Sequence, residues 1–249
     1  MLNMTKALKP GTNDPRKSGG HRVGQRISRA IAVLGLAAGL SGPAMADLIF
    51  DLGTPNAALS GFTGPFAQVD VHWVDSTHAT ITFTSLSSGG DLYLLGDGRS
   101  VDVNVNATSF TLGTITGSNP LVGFSAGPYS NGGSGNVSSF GVFNQTINSF
   151  DGYPNTSTTI SFGLTDTGGT WGSENDVLAV NADGNMAAAH IFVCAQPCTV
   201  AEGALTTGFV SGNGTLVPLP APAVPEPQSL ALVALGLLTL AAVRRQRWV

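Results

Sequence analysis

Between residues 47 and 223 the hydrophobic and polar positions alternate with a period of two, not with the 3.6 of a helix. Residues 69–73, 80–84 and 101–106 each carry Val, Ile, Phe or Trp at every second position, with Asp, His, Thr or Asn between them. Such alternation gives a strand one apolar and one polar face, as in a sheet that is covered on one side. The pattern predicts β-strands in these three segments.

Nine further segments are short and rich in Thr, Val and Phe, and turn residues separate them. They are residues 48–50, 92–95, 110–115, 137–143, 146–150, 158–164, 177–180, 188–193 and 205–210. Many short strands with Gly, Asn, Asp and Ser between them favour an antiparallel, jelly-roll-like β-sandwich over a single sheet. No segment of this region has a helical stripe, so we predict an all-β fold.

Two looser stretches interrupt the alternation. Residues 117–135 contain six glycines and two prolines, which predicts a long surface loop. Residues 167–175 predict a shorter loop, in which Trp171 stands among glycines. Because aromatic rings can stack on sugar rings, Trp171 and Tyr153 are the side chains that we expect to be available to a carbohydrate.

The first 46 residues have the three parts of a secretory signal peptide. A basic region precedes an eleven-residue apolar stretch at residues 30–40, and Ala44 and Ala46 form a small-x-small cleavage site. The apolar stretch is too short for a stable membrane span. We therefore expect export through the Sec translocon, cleavage by signal peptidase and a mature N-terminus at Asp47.

The charge of the chain is distributed very unevenly. The whole chain has a formal charge of −4, but residues 47–223 hold thirteen carboxylates and a single cation, Arg99, which gives −12. Such a surface repels nucleic-acid phosphates and anionic lipids. It is compatible with divalent cations, basic partners or neutral sugars.

The C-terminal residues combine a proline-rich stretch, an apolar segment and a basic tail. Residues 217–227 contain five prolines, which favours an extended linker. Residues 230–243 carry no charge, and as a helix they would span about 21 Å, less than the roughly 30 Å of the hydrocarbon core. Arg244, Arg245 and Arg247 then form a stop-transfer signal that places this end in the cytoplasm. We expect a β-domain at residues 47–216 and a short transmembrane helix with its basic tail at residues 228–249.

Val224, Pro225, Glu226 and Pro227, followed by the apolar segment and the arginines, resemble the PEP-CTERM sorting signal of exported bacterial proteins. The resemblance covers residues 224–249, which are 26 of the 249 residues. It implies recognition by exosortase, a membrane thiol transpeptidase that removes the helix and releases or re-attaches the domain. It also implies a Gram-negative host that makes extracellular polysaccharide.

Two cysteines occur, Cys194 and Cys198, with three residues between them. Because the periplasm is oxidising, we predict that they form a disulfide. Redox-active pairs usually have two intervening residues and lie at a helix start, so a structural disulfide is favoured over a redox role.

Candidate catalytic and metal-binding groups are sparse. A β-sandwich glycosidase needs two facing carboxylates, and the spacing of the acidic residues identifies no such pair. His72, His78 and His190 lack a close zinc-ligand spacing. Calcium would suit oxygen-rich turns, although Asx-turns explain the same residues without an ion. These turns lie at Asp97, Asp166, Glu174, Asp176 and Asp183.

Together these features predict a non-enzymatic protein of the cell surface or exopolysaccharide matrix. It would be anchored transiently in the inner membrane by its C-terminal helix and sorted by exosortase. The alternatives are a carbohydrate-binding or adhesive β-sandwich module, with extracellular polysaccharide as its partner, and a β-sandwich glycosidase. No cofactor and no nucleic-acid partner is expected.

Overall fold

A computed structural model describes residues 47–215. The predicted signal peptide with Ala44 and Ala46, the linker, the motif at residues 224–227, the C-terminal helix and its arginines lie outside the described residues. Within the described part no helix is long and apolar enough to cross a membrane.

The described residues form thirteen strands and three single turns of 3₁₀ helix, at Ala57–Leu59, Tyr153–Asn155 and Glu174–Asp176. The strands are β1 (Leu48–Leu52), β2 (Thr54–Pro55), β3 (Ala67–Trp73), β4 (His78–Ser85), β5 (Ser87–Ser88), β6 (Asp91–Leu95), β7 (Asp97–Val103), β8 (Phe110–Ser118), β9 (Ser130–Asn136), β10 (Val142–Ser149), β11 (Thr159–Asp166), β12 (Ala187–Ala195) and β13 (Thr206–Gly212).

These strands assemble into two antiparallel sheets. The first sheet has the order β1-β3-β4-β11-β8, and the second has the order β2-β13-β12-β7-β10-β9, with β6 also paired to β12 and β5 to β6. All pairings between the named strands are antiparallel, which confirms the all-β prediction. The jelly-roll strand order is not confirmed.

One hydrophobic core lies between the two sheets. The period-two alternation buries every second residue of β1, β3, β4 and β11, so that Phe50, Val71, Phe83 and Phe162 point inward from the first sheet. Residues of the second sheet close this core from the other side; they include Tyr93, Val101, Val103, Ile147, Ala189, Ile191 and Val210. The shared core makes the domain a sandwich of two sheets.

Three sequence-based boundaries are wrong. Residues 137–143 were expected to be a strand, but residues 137–141 form the turn between β9 and β10, with the Val137 N–H donating to the Gly141 carbonyl at 2.8 Å. Residues 177–180 make only an isolated bridge, between Leu178 and Val105. The expected loop at residues 117–135 contains the end of β8 and most of β9.

A second apolar layer covers part of the outer face of the second sheet. The turn that joins β9 to β10 contributes Val137 and Phe140, which pack with Phe143, Ala188 and Phe209. Because this layer excludes water, polar residues that alternate outward on β7 and β10 are buried as well, including Ser100, Asp102 and Thr146. Part of the outer face of this sheet is therefore shielded from water, and this part lies beside the candidate ligand-binding cleft.

Candidate ligand-binding cleft

A cleft of about 300 Å³ opens on the outer face of the second sheet. Three glycines form part of its lining, and the side chains that line it are Arg99, Ser134, Thr146, Asn148, Phe150 and Phe209. We call it the Arg99 cleft, because it holds the sole cation among the described residues. It combines one positive charge, three polar side chains and two aromatic rings.

Arg99 lies near the start of β7 in an unusual backbone conformation. Its φ is 56°, and that of Asp97 is 65°, a region that side chains other than glycine rarely adopt. The Arg99 N–H donates to Asn148 Oδ1 at 2.8 Å, which holds this conformation from the neighbouring strand β10. The guanidinium group makes no hydrogen bond and no ion pair with the described residues.

Glycines of β9 make the room that these side chains occupy. A Cβ atom at Gly135 would lie 3.0 Å from Nε of Arg99, and one at Gly132 would lie 2.7 Å from Nδ2 of Asn148 and still closer to Oγ1 of Thr146. Gly132 and Gly135 therefore leave space for polar groups of β10 and β7 that lie directly against the backbone of β9.

Asp102 is fully buried next to this cleft, opposite Thr146 of β10 and Ala188 of β12. Neither carboxyl oxygen has a hydrogen-bond partner among the described residues. Burial raises the pKa of Asp102 well above its usual value, although the Arg99 charge acts in the opposite direction. Burial thus disfavours the charged carboxylate, and Asp102 forms no ion pair with Arg99.

His190 lies beside Phe209, which forms one wall of the cleft. Its Nδ1 is buried and has no hydrogen-bond partner among the described residues. Burial lowers the pKa of His190, while Asp97 and the backbone of Gly98 act to raise it. The neutral imidazole therefore serves as packing for the wall. His72 and His78 lie on the other sheet, both exposed, and pair with Asp47 and Asp75.

The expectation that Trp171 is an exposed platform for sugars is wrong. Its side chain is 2% exposed, belongs to the main core, and donates its indole N–H to the Asn106 carbonyl at 2.9 Å. A glycine-rich loop predicted exposure, but the loop folds back over the end of the sandwich, with the Trp171 N–H donating to the Ser76 carbonyl. No ring face is left for a ligand.

Tyr153 packs in a separate small cluster with the disulfide. Cys194 and Cys198 are bonded, which confirms the predicted pairing. The Tyr153 hydroxyl lies 2.7 Å from Sγ of Cys194 and donates to the Thr199 carbonyl at 3.2 Å, while its ring meets Phe124 edge-on at 5.2 Å. Tyr153 and Trp171 therefore belong to different clusters and form no joint platform.

A second cleft, of about 580 Å³, contains two of the acidic residues that were considered for calcium. Each is already engaged in its own turn: Asp166 Oδ1 accepts from the Gly168 N–H at 2.9 Å, and Asp176 Oδ2 accepts from the Ser173 hydroxyl at 3.0 Å. Within residues 47–215 no three His, Cys, Asp or Glu side chains are grouped to hold one metal ion. Calcium binding stays a prediction.

Sequence reasoning missed the Arg99 cleft, because its parts come from strands far apart in the chain. One signal was present: a single cation among thirteen carboxylates in residues 47–223. A different part of the chain is similar to a known family. Residues 223–246 match the family model of the PEP-CTERM protein-sorting motif.

The chain carries a PEP-CTERM sorting motif. The match confirms the resemblance and includes Glu226 and the pair Arg244 and Arg245. The PEP-CTERM motif supports export and sorting by exosortase, and it spans 24 of the 249 residues. No curated protein and no solved structure was found to match the chain. The role of the β-sandwich is therefore argued from its own geometry.

Proposed function

We propose that this protein is a non-enzymatic component of the cell surface or of the exopolysaccharide matrix. Its C-terminal helix would hold it in the inner membrane until exosortase acts at the motif of residues 224–227. The PEP-CTERM match at residues 223–246 is the observation that carries the proposal.

A structural role is favoured over catalysis by the surroundings of the acidic groups. No carboxylate lines the Arg99 cleft, and those of the second cleft, Asp166 and Asp176, act as acceptors within their own turns. A glycosidase needs two carboxyl groups that are free to face a sugar across a groove. The arrangement of the carboxyl groups in these two clefts therefore does not favour a role as a hydrolase.

The outer face of the first sheet also suits a structural component. Neighbouring strands pair their hydroxyl groups across it: Thr82 with Ser161 at 2.9 Å, and Ser118 with Thr159 at 2.7 Å. Phe150 is the one large aromatic side chain among the described residues that is mostly exposed to solvent. Two coplanar exposed rings, the usual platform for flat binding of a sugar chain, are not found in this part of the molecule.

Sorting is tested by Glu226→Ala in the full chain, expressed in cells that contain exosortase. Because Glu226 is the charged residue of the motif, we expect the variant to keep its C-terminal helix and to accumulate in the membrane. Glu202→Ala, which alters an exposed glutamate of the β-sandwich, is the matched control and should be processed normally. Intact mass spectrometry distinguishes the two species. Normal processing of Glu226→Ala would refute the assigned role of the motif.

The same mass measurement tests the signal peptide. We expect the protein recovered from the cell surface or medium to begin at Asp47 and to end near Pro227. A surface protein that still contains Trp248 and Val249 would instead be permanently anchored, and the proposed sorting would be wrong.

A further inference from the structure

We propose that the Arg99 cleft binds a carboxylate-bearing sugar, such as a hexuronate unit. The proposal goes beyond sorting, since it concerns the β-sandwich and can be tested whether or not exosortase acts on the tail. It follows from the charge, the open hydrogen-bonding groups and the rings that meet in this one cleft.

The first argument is the unpaired state of Arg99. A guanidinium group has five donors in a planar fork that matches a carboxylate, and half-buried arginines usually use them. Here thirteen carboxylates surround a single cation in the sequence, yet none pairs with it within residues 47–215. The nearby Asp102 is fully buried, and neither of its carboxyl oxygens forms a hydrogen bond with the guanidinium group. The guanidinium is therefore left facing the cleft, where an anionic group can reach it.

The second argument concerns which anion fits. The surrounding domain has a formal charge of −12, so a dianionic phosphate is repelled more strongly than a monoanion. A carboxylate carries one negative charge and offers two oxygens to the fork of Arg99. The negative field therefore penalises a carboxylate less than a phosphate dianion, and the attraction that offsets it comes from Arg99.

The third argument is that two further polar side chains of the cleft, Asn148 and Ser134, can bind hydroxyl groups. Thr146 Oγ1 and Asn148 Nδ2 have no hydrogen-bond partner among the described residues, whereas Asn148 Oδ1 is occupied by the Arg99 N–H. Ser134 donates its proton to the Phe143 carbonyl at 3.0 Å, so its oxygen remains an acceptor. A ligand with several hydroxyl groups can use Asn148 and Ser134, whereas Thr146 is buried.

The fourth argument is the apolar wall. The Phe150 side chain is 58% exposed at the cleft, and Phe209 is backed by His190. Exposure of a phenyl ring is unfavourable, and the C–H face of a sugar would cover it. The volume of about 300 Å³ lies at the lower end of the range for small-molecule sites, which suits one sugar unit.

The test is calorimetric titration of the full-length protein in detergent with glucuronate, glucose and acetate. We expect saturable binding of glucuronate, and binding of glucose and acetate that is weaker by at least about tenfold, because each lacks one set of contacts. Arg99→Gln should weaken glucuronate binding by at least about tenfold, since a charge-assisted hydrogen bond is lost.

Phe150→Ala provides a second variant that leaves the charge in place. It should weaken glucuronate binding, whereas Leu205→Ala, which truncates a side chain of almost equal exposure (59%) outside the cleft lining, should not. Circular dichroism and the melting temperature establish that each variant is folded. Absence of glucuronate binding, equal binding of glucose or of acetate, or unchanged affinity in folded Arg99→Gln would each overturn the proposal.

Discussion

The imidazole ring of His190 stacks on the phenyl ring of Phe209, with ring centroids 4.4 Å apart and planes inclined by 14°. The two residues face each other across the antiparallel pair β12 and β13. Phe192 lies two residues further along β12, with its ring centroid 5.3 Å from that of His190. A protonated imidazole would place a charge in this apolar layer, and burial accordingly lowers the pKa of His190.

This arrangement predicts that acid weakens the fold through His190. In the unfolded chain histidine takes up a proton near pH 6.5, while the folded state resists protonation until a lower pH. The stability contributed by the neutral ring is thus present above about pH 6.5 and is lost as the pH falls through the folded-state pKa. Urea unfolding between pH 5 and pH 7 measures this loss.

His190→Phe keeps an aromatic ring but cannot be protonated, so its stability should change less between pH 7 and pH 5. Leu205→Ala, which changes an exposed side chain that carries no titratable group, is the control and should retain the full pH dependence of the parent protein. An equal acid-induced loss in His190→Phe and in the parent would show that another group is responsible.

Asp102 predicts the opposite pH dependence of stability, with a fold that becomes less stable as the pH rises. Its pKa is raised by burial, so its contribution to stability is fully present below about pH 3.8 and is lost as the pH rises through the folded-state pKa. Over that window the free energy of unfolding falls by up to about 1.4 kcal/mol per pH unit.

Asp102→Asn removes the titration while keeping the size of the side chain. We expect the variant to be more stable than the parent at pH 7.5 and to lose this advantage at pH 4. Asp151→Asn, which changes an exposed carboxylate, should show no such crossover. A difference between Asp102→Asn and the parent that does not vary with pH would contradict the assignment.

Strands that bury one face are visible in the sequence as alternating residues, and strands shaped by their neighbours are not. Alternation at residues 69–73 and 80–84 placed two strands correctly, because each buries one face against the common core, whereas residues 101–106 marked only the end of β7, which stops at Val103. Strand β9 has no such alternation: Gly132 and Gly135 are required by side chains of β7 and β10, which lie far away in the sequence. That requirement becomes visible only when the strands are paired.

The candidate site also depends on contacts between distant segments, which the sequence pattern does not reveal. Trp171 was expected on the surface because glycines surround it, yet its loop closes over the core. Arg99 stood out only as an isolated charge, and its setting against Asn148 and Gly135 depends on pairing between β7, β10 and β9. The disulfide was predictable since Cys194 and Cys198 are near neighbours in the chain.

The burial of Trp171 predicts a cost for its replacement that has nothing to do with ligands. Trp171→Phe leaves the Asn106 carbonyl without its indole donor, which should lower the free energy of unfolding by about 1–3 kcal/mol. Trp171→Ala also creates a cavity and should cost about 3–5 kcal/mol. Trp73→Phe, at a half-buried site, is the comparison variant. Stability unchanged in Trp171→Ala would contradict the burial of this ring.

The disulfide between Cys194 and Cys198 should contribute modestly to stability, because it closes a loop with only three intervening residues. Loop-closure entropy for so short a loop corresponds to about 2 kcal/mol. We expect the double variant Cys194→Ala, Cys198→Ala to lose about that free energy of unfolding in urea. Dithiothreitol should shift the parent by a similar amount and leave the double variant unchanged, since the latter has no bond to reduce. If the reductant changed the free energy of unfolding of the double variant, the effect would not arise from this bond. If it left the parent unchanged, the bond would add nothing to the stability already provided by the packing of Tyr153 against Phe124 and Phe192.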